Sequence, residues 1–142
     1  MNHTDYMLLA LDASKSALPS CVPNPPVGCV LVKNGKVLSV GFTQPIGENH
    51  AEVEAINQYS GSLDGVTAYV TLEPCAFEGR TPSCAKMLAA SNISNVVIAV
   101  TDPDPRNNGK GIDVLKKSGI NVTVGIAEEH VKNFITQYLC KS

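Results

Sequence analysis

Apolar residues recur along the chain with two different periods, which predict both helices and strands. Over residues 4–18 the apolar positions fall at helical spacing, so a first amphipathic helix is expected there. Several proline residues then end this helix and begin a rigid loop. A stretch rich in β-branched residues follows at 27–32, and Asn34-Gly35 is typical of a type I′ hairpin turn. The chain should therefore return as a second strand over 37–41.

The remainder of the chain alternates between helical and strand patterns. We expect strands at 66–72, 96–100 and 121–125, and helices at 49–59, 84–90, 112–117 and 128–139. Ser83 is a suitable N-cap for the helix that begins at the next residue. The order α-β-β-α-β-α-β-α-β-α predicts an α/β fold with three layers, in which helices cover both faces of a five-stranded mixed sheet. Without an internal repeat or linker, residues 1–142 are expected to form a single domain.

Charge and cysteine content limit which substrates, partners and cellular location are expected. The chain has 11 basic and 13 acidic residues, and its longest basic run is Lys116-Lys117. We therefore expect a small-molecule substrate and no nucleic-acid partner. The apolar stretch near the N-terminus is short and interrupted by Asp12, which argues against a signal peptide and against a membrane partner. Five cysteines without a secretory signal indicate free thiols and a cytoplasmic location.

Three residues of the chain are of types that bind soft divalent metals, and a carboxylate lies two positions from one of them. The candidate ligands are His50, Cys75 and Cys84, and the carboxylate belongs to Glu52. A tetrahedral zinc ion with one imidazole and two thiolates keeps a fourth position for water. A carboxylate that is not a ligand can then move protons between this water and a substrate. This is the arrangement of the zinc nucleobase deaminases, whose signature is H-x-E followed by P-C-x-x-C, here with a wider spacing between the cysteines.

Each of these residues also has a simpler interpretation. His50 alone would be a partly buried histidine, and Cys75 and Cys84 alone would be core thiols. Glu52 alone would be an exposed first-turn glutamate favoured by the helix dipole. The joint fit to one template favours a zinc site, and thiolates at helix N-termini would gain from the dipole. The other cysteines lack ligand spacing and are expected to be structural: Cys21, Cys29 and Cys140.

Five motifs occur in order along nearly the whole chain. They are Pro23-Asn24-Pro25-Pro26-Val27-Gly28-Cys29, His50-Ala51-Glu52-Val53, Thr71-Leu72-Glu73-Pro74-Cys75, Gly79-Arg80-Thr81-Pro82 and Asp102-Pro103. Together they resemble the deaminase domain of the bifunctional riboflavin-biosynthesis deaminase/reductase. The resemblance implies a cytidine-deaminase-like fold and a homo-oligomer. It also implies hydrolysis of the C2 amino group of 2,5-diamino-6-ribosylamino-4(3H)-pyrimidinone 5′-phosphate.

The resemblance also assigns substrate contacts and shows departures from the family pattern. It implies that Asn24, Asp102 and Asp104 contact the substrate and that Arg80 meets its phosphate. The family usually has histidines where this chain has Thr43 and Phe77, two further positions around the expected substrate pocket. At Asp104 the family commonly has asparagine, which is a milder change. The chain ends where the family's reductase domain would begin, so a separate protein is expected to perform the reduction step.

The implied mechanism assigns proton transfer to Glu52. A zinc-bound water is expected to be available as hydroxide near neutral pH. Glu52 would take the proton of this water, pass it to the ring nitrogen beside the attacked carbon, and protonate the departing amine.

Two alternatives remain open from the sequence. The first is a deaminase of another nucleobase or nucleotide, which Thr43 and Phe77 favour. The retained motifs around Asn24 and Arg80 count against it. The second is a non-catalytic zinc-binding subunit. A structural zinc site is normally closed by a fourth ligand, and no fourth cysteine or histidine occurs at a ligand-like spacing.

Overall fold

The computed structural model describes residues 2–45, 47–76 and 83–139, which contain a mixed β-sheet between two layers of helices. The strands are β1 (Gly28–Lys33), β2 (Lys36–Phe42), β3 (Thr67–Leu72), β4 (Asn95–Val100) and β5 (Asn121–Val124). The helices are α1 (His3–Lys15), α2 (Ala51–Asn57), α3 (Cys84–Ala90), α4 (Lys110–Lys117) and α5 (Glu128–Ile135). A short 3₁₀ helix, Thr136–Tyr138, follows α5. The predicted order of elements and the predicted α/β class are confirmed.

The strand order brings distant segments to one edge of the sheet. The five strands lie in the order β2-β1-β3-β4-β5. Strand β1 is antiparallel to both β2 and β3, whereas β3, β4 and β5 are parallel. Strands β2, β3 and β4 therefore run in one direction, and their carboxyl ends meet at the same edge. The chain also enters β1 at this edge. Sites in open α/β sheets are found at such an edge.

The core is divided between the two faces of the sheet. Along β3, Ala68 and Val70 pack in a cluster with α2, α3 and α4, whereas Tyr69 packs on the other face with α1 and α5. This alternation follows the period of two of a β-strand. Because both faces are covered, β1, β3 and β4 are almost fully buried. The predicted three-layer arrangement is confirmed.

Two glycines on paired strands allow helices to lie directly against the sheet. A Cβ atom on Gly28 would overlap the carbonyl oxygen of Ala10 in α1, and one on Gly41 would overlap the carbonyl oxygen of Ala51 in α2. The glycine at 41 thus lets the first turn of α2 approach β2 on the face opposite to α1. This contact fixes where α2 begins, and the histidine and glutamate of the predicted metal motif lie at that beginning.

Several element boundaries differ slightly from the prediction. Helix α1 ends at Lys15, and turns follow over residues 16–23. Helix α5 ends at Ile135 and continues only as a 3₁₀ turn. The hairpin turn has the positive φ angles that a type I′ turn requires, 53° at Asn34 and 75° at Gly35. None of the described helices is long and apolar enough to cross a lipid bilayer.

Candidate active site

A cavity of about 620 Å³ opens at the edge where β2, β3 and β4 end. Most of the predicted site residues line it, namely Asn24, Thr43, His50, Glu52, Cys75, Asp102 and Asp104. Cys84 lies next to His50 and Cys75 and is almost completely buried. Arg80 and Phe77 fall outside the described residues. The structure thus brings together residues that are up to 80 positions apart in the sequence, from Asn24 to Asp104.

The three predicted metal ligands form one cluster. His50 is the N-cap of α2, but its side chain makes no capping hydrogen bond. Its Nδ1 atom lies 3.2 Å from the Sγ of Cys84 and 4.0 Å from the Sγ of Cys75. All three ligand atoms lie within 4.8 Å of one another. Tetrahedral zinc would hold a nitrogen and a sulfur ligand about 3.6 Å apart. The donor set and its spacing therefore fit a zinc ion.

The N-terminus of α3 fixes Cys75. Cys75 is not itself at a helix start, as the sequence had suggested for both thiols, but lies in the loop after β3. The backbone N–H of Cys84, the first residue of α3, donates to the Sγ of Cys75 over 3.3 Å. The carbonyl oxygen of Cys75 accepts from the Ser83 hydroxyl over 2.7 Å and from the Ala85 N–H over 3.0 Å. The N-terminus of α3 thus stabilises negative charge on the Cys75 sulfur, although Cys75 is not part of the helix.

The two thiols have opposite protonation preferences. A hydrogen bond from the Cys84 side chain lowers the pKa of Cys75 to about 4, and contacts with His50 act in the same direction. The pKa of Cys84 is raised far above its usual range, because it shares this hydrogen bond and is buried. The hydrogen bond with Cys75 also raises the pKa of His50. The cluster therefore carries thiolate character before any cation binds, and a divalent cation would displace the remaining thiol proton.

Glu52 lies in the first turn of α2 with only 4% of its surface exposed. The simpler interpretation of an exposed glutamate is therefore wrong. Burial raises the pKa of Glu52 to about 7, and the charge of Cys75 acts in the same direction. A carboxyl group with this pKa can both accept and donate a proton near neutral pH. Two positions further along the same helix, Glu54 is only partly buried and accepts from the side chain of Asn49 over 3.0 Å.

The Thr43 hydroxyl forms hydrogen bonds with the backbone of the loop that carries Asn24. Thr43 is 4% exposed, and its Oγ1 accepts from the backbone N–H of Val27 over 3.0 Å. The same hydroxyl lies 3.4 Å from the carbonyl oxygens of Pro25 and Val27, to which it can donate. The backbone N–H of Thr43 also donates to the carbonyl oxygen of Val27 over 3.0 Å. Thr43 thus holds the 24–27 loop against the end of β2.

The loop after β4 presents carboxylates to the cavity. Asp102 accepts from the backbone N–H of Asp104 over 3.0 Å, and burial raises the pKa of Asp102. The Asp104 carboxylate accepts from the guanidinium of Arg106, with an Nη2–Oδ2 distance of 2.7 Å. This contact holds the pKa of Asp104 below its usual range. Among the described residues that line the cavity, Arg106 is the one arginine or lysine.

Glu73 connects the ends of β3 and β4 to α4. Its side chain is 3% exposed. Its carboxylate accepts from the backbone N–H groups of Asp102 over 3.1 Å, Gly109 over 3.0 Å and Ile112 over 3.0 Å. Gly109 is the N-cap of α4 and has no capping side chain of its own. Glu73 therefore caps α4 from another element, and holds the loop of Asp102 next to the loop of Cys75.

Comparison with known proteins places this site in a family. The model of the cytidine and deoxycytidylate deaminase zinc-binding region matches residues 1–100. The chain belongs to this deaminase family. The predicted family resemblance is thereby confirmed, and so is the deaminase-like fold.

Several relatives of this deaminase-family chain carry names from riboflavin biosynthesis. The chain is 42% identical over 129 residues to the diaminohydroxyphosphoribosylamino-pyrimidine deaminase of Buchnera aphidicola subsp. Schizaphis graminum. The match covers 91% of this chain and 88% of that protein. The chain is also 44% identical to the riboflavin biosynthesis protein RibD of Aquifex aeolicus, covering 90% of this chain and 36% of that protein. The structure of Acinetobacter baumannii RibD, form 2, matches with a TM-score of 0.92 at 43% identity, covering 96% of this chain and 39% of that one. The chain thus spans less than half the length of these two RibD proteins.

The sequence motifs predict the candidate metal ligands of this site but not several residues that hold those ligands in place. Glu73, Arg106 and Asn107 were not expected to take part. A signal existed for Glu73, since it is an ionisable residue at the end of an otherwise buried strand and directly precedes Pro74-Cys75. For Arg106 the signal is its position two residues after Asp104, close enough in sequence to pair with that carboxylate. Asn107 has no clear local signal, because apart from Asp102 its side-chain partners lie more than 30 positions away, around Cys75.

Proposed function

We propose that the protein is a zinc-dependent hydrolase that removes the C2 amino group of 2,5-diamino-6-ribosylamino-4(3H)-pyrimidinone 5′-phosphate, releasing ammonia in riboflavin biosynthesis. The observation that carries the proposal is a buried glutamate beside a His/Cys/Cys donor cluster at the wall of one cavity. The Buchnera aphidicola relative, which this chain matches over most of its length, is named for a deaminase of this kind. The cavity volume is within the range of small-molecule sites, roughly 300–1,000 Å³.

His50, Cys75 and Cys84 would hold the zinc ion, through Nδ1 and the two Sγ atoms. When bound, zinc supplies a water molecule whose pKa is lowered to near neutral. Glu52 accepts a proton from the attacking water at its carboxylate and delivers it to the ring nitrogen beside C2. Glu52 then takes the proton of the hydroxyl group added at C2 and passes it to the amine. As the bond between C2 and the amine breaks, the C2 oxygen becomes a carbonyl and the amine leaves as ammonia. The burial of Glu52 suits this role because it brings the pKa of the carboxyl group close to the working pH.

Substrate recognition is assigned to the cavity wall. Asn24 and Asp102 offer an amide and a carboxylate to the ring and ribose, since both line the cavity. Arg80 is proposed to bind the phosphate, because a guanidinium grips phosphate through paired hydrogen bonds. Thr43 supports this recognition indirectly, by holding the loop of Asn24.

The test is an ammonia assay on the purified protein with the ribotide as substrate. We expect ammonia release that depends on zinc, together with a deaminated product of matching amount. Release from another aminopyrimidine or purine nucleotide, but not from the ribotide, would keep the reaction type and overturn the substrate. A zinc-loaded protein that deaminates none of these compounds would identify a non-catalytic subunit.

A further inference from the structure

Asn107 lies in the turn between β4 and α4, and both ends of its side-chain amide are used. The residue is fully buried. Its Oδ1 accepts from the backbone N–H of Ala76 over 3.1 Å. Its Nδ2 donates to the carbonyl oxygens of Pro74 over 3.2 Å and Glu73 over 3.4 Å. These partners lie on both sides of Cys75, so one amide brackets the loop of a candidate metal ligand.

The same Nδ2 atom reaches the carboxylate of Asp102. It lies 3.3 Å from Oδ2, while the other oxygen of Asp102 accepts from the backbone N–H of Asp104. The orientation of Asn107 is fixed by this set of partners. A flipped amide would turn its oxygen towards two carbonyls and a carboxylate, and its NH₂ group towards an N–H. The amide is therefore a rigid connection between the Cys75 loop and the Asp102 side chain.

Glu73 does not provide this connection. Its carboxylate accepts only from backbone N–H groups in its described contacts, including that of Asp102. Glu73 can therefore place the backbone of the loop after β4, but it leaves the direction of the Asp102 carboxylate undetermined. In the described part of the chain, Asn107 supplies the side-chain donor to that carboxylate.

We propose that Asn107 is a positioning residue for substrate binding, which fixes the Asp102 carboxylate at a set distance and direction from the metal-binding cluster. The inference rests on the proposed function, in which Asp102 contacts the substrate. A substrate held by Asp102 would then present its reacting carbon to the cluster and to Glu52. Loss of the amide should weaken substrate binding more than it slows the chemical step.

The experiment compares Asn107→Ala with Asn95→Ala in the full-length, zinc-loaded protein. Asn95 is the control because both ends of its side-chain amide are also hydrogen-bonded, donating to Thr67 over 3.3 Å and accepting from Asn121 over 3.2 Å. It lies at the start of β4, at the end of the sheet opposite to the cavity. Asn107→Asp is a second variant, which keeps the shape and the acceptor for Ala76 but replaces the donor that faces Asp102.

We expect both Asn107 variants to raise KM for the ribotide about tenfold or more, with kcat within about threefold of the wild type. Asn95→Ala should leave KM unchanged. The cobalt-substituted Asn107 variants should keep the thiolate-to-metal absorption of the wild type, because α3 still holds Cys75 through Ser83, Cys84 and Ala85.

The outcomes separate this inference from the proposed function. If the wild type releases ammonia and the Asn107 variants keep a normal KM, the positioning role is wrong while the function stands. If the cobalt absorption is lost together with activity, Asn107 only supports the Cys75 loop, and the inference is also wrong. If the wild type itself does not act on the ribotide, the proposed function fails first and the inference fails with it.

Discussion

Two glutamates in the first turn of α2 differ in burial, and only the buried one has the environment that the proposed proton transfer needs. Glu52 and Glu54 are only two positions apart, yet their side chains leave the helix in different directions. Glu52 is buried against the metal-binding cluster, and its pKa is raised to about 7. Glu54 is partly exposed and bonded to Asn49. Burial therefore gives one glutamate a pKa suited to proton transfer, whereas the glutamate two residues later forms a hydrogen bond at the surface.

Glu52→Gln should keep the zinc and the fold but lose activity by a factor of roughly 10² to 10⁴. Glutamine has nearly the same shape but cannot accept and return a proton. The measurement is kcat for ammonia release, with bound zinc determined on the same samples. Glu54→Gln is the matched control and should retain kcat within a few-fold. A Glu52→Gln protein with near-normal turnover would remove this residue from the proton-transfer role.

Arg80→Ala should raise KM for the phosphorylated substrate while leaving the dephosphorylated analogue unaffected. Arg80 lies outside the described residues, and its assignment to the phosphate comes from the Gly-Arg-Thr-Pro motif. A phosphate in a cavity lined by Asp102 and Asp104 needs a positive partner, because like charges disfavour binding. Lys86→Ala, in the exposed face of α3, is the control and should change neither value. Equal effects of Arg80→Ala on both compounds would show that the side chain does not meet the phosphate.

At the scale of elements, the site is positioned by two helices, α2 and α4, whose first turns pack closely against the sheet or its loops. Helix α2 begins against Gly41, and α4 begins against the loop of Pro74, where a Cβ on Gly111 would overlap the carbonyl oxygen of Pro74. Glu73 then adds hydrogen bonds to the N-terminus of α4. The beginnings of both helices are thus fixed by contacts with the sheet or its loops.

Gly41→Ala should reduce both stability and zinc retention, whereas Gly28→Ala should reduce stability alone. Each added methyl group overlaps a helix backbone, in α2 for Gly41 and in α1 for Gly28, and overpacking of this kind costs about 1–3 kcal/mol. Only the substitution at Gly41 displaces α2, whose N-cap is His50. The measurements are denaturant unfolding and zinc content after dialysis. Equal zinc retention in the two variants would show that the position of α2 does not control the metal site.

The elements that the sequence predicted well are those whose signals are local. The bounds of α3 are as predicted, because Ser83 caps it directly by accepting from the N–H of Lys86 over 3.2 Å. Helix α4 begins two residues earlier than predicted, at Lys110. Its N-terminus is capped by Glu73, 36 positions before Gly109, so no pattern in or beside α4 reveals where the helix begins. The candidate metal ligands can be recognised from their residue types and spacing, whereas the roles of Glu73 and Asn107 depend mainly on contacts between distant segments.

At the scale of the whole molecule, the candidate metal-binding cluster of His50, Cys75 and Cys84 joins three segments that are separate in sequence. His50 is the N-cap of α2, Cys75 follows β3, and Cys84 is the first residue of α3. Helices α2 and α3 lie on the same face of the sheet and share one core cluster. A metal ion bound by all three residues would therefore cross-link both helices to the end of β3. Such an ion binds the native state and not the separated ligands of the unfolded chain, so it should stabilise the fold.

Removal of zinc should lower the thermal unfolding midpoint by about 10 °C. An ion present at a thousand times its dissociation constant stabilises the native state by about 4 kcal/mol, and for a chain of this size each kcal/mol shifts the midpoint by about 3 °C. The measurement is calorimetry of the protein stripped with a chelator, before and after zinc is restored. Cys75→Ser should unfold at the same temperature with or without zinc, because the three-ligand set is broken. Cys21→Ser, which changes a buried thiol outside the cluster, should keep the full response to zinc. A stripped wild type that unfolds at the temperature of the zinc-loaded protein would show that the ion does not cross-link these elements.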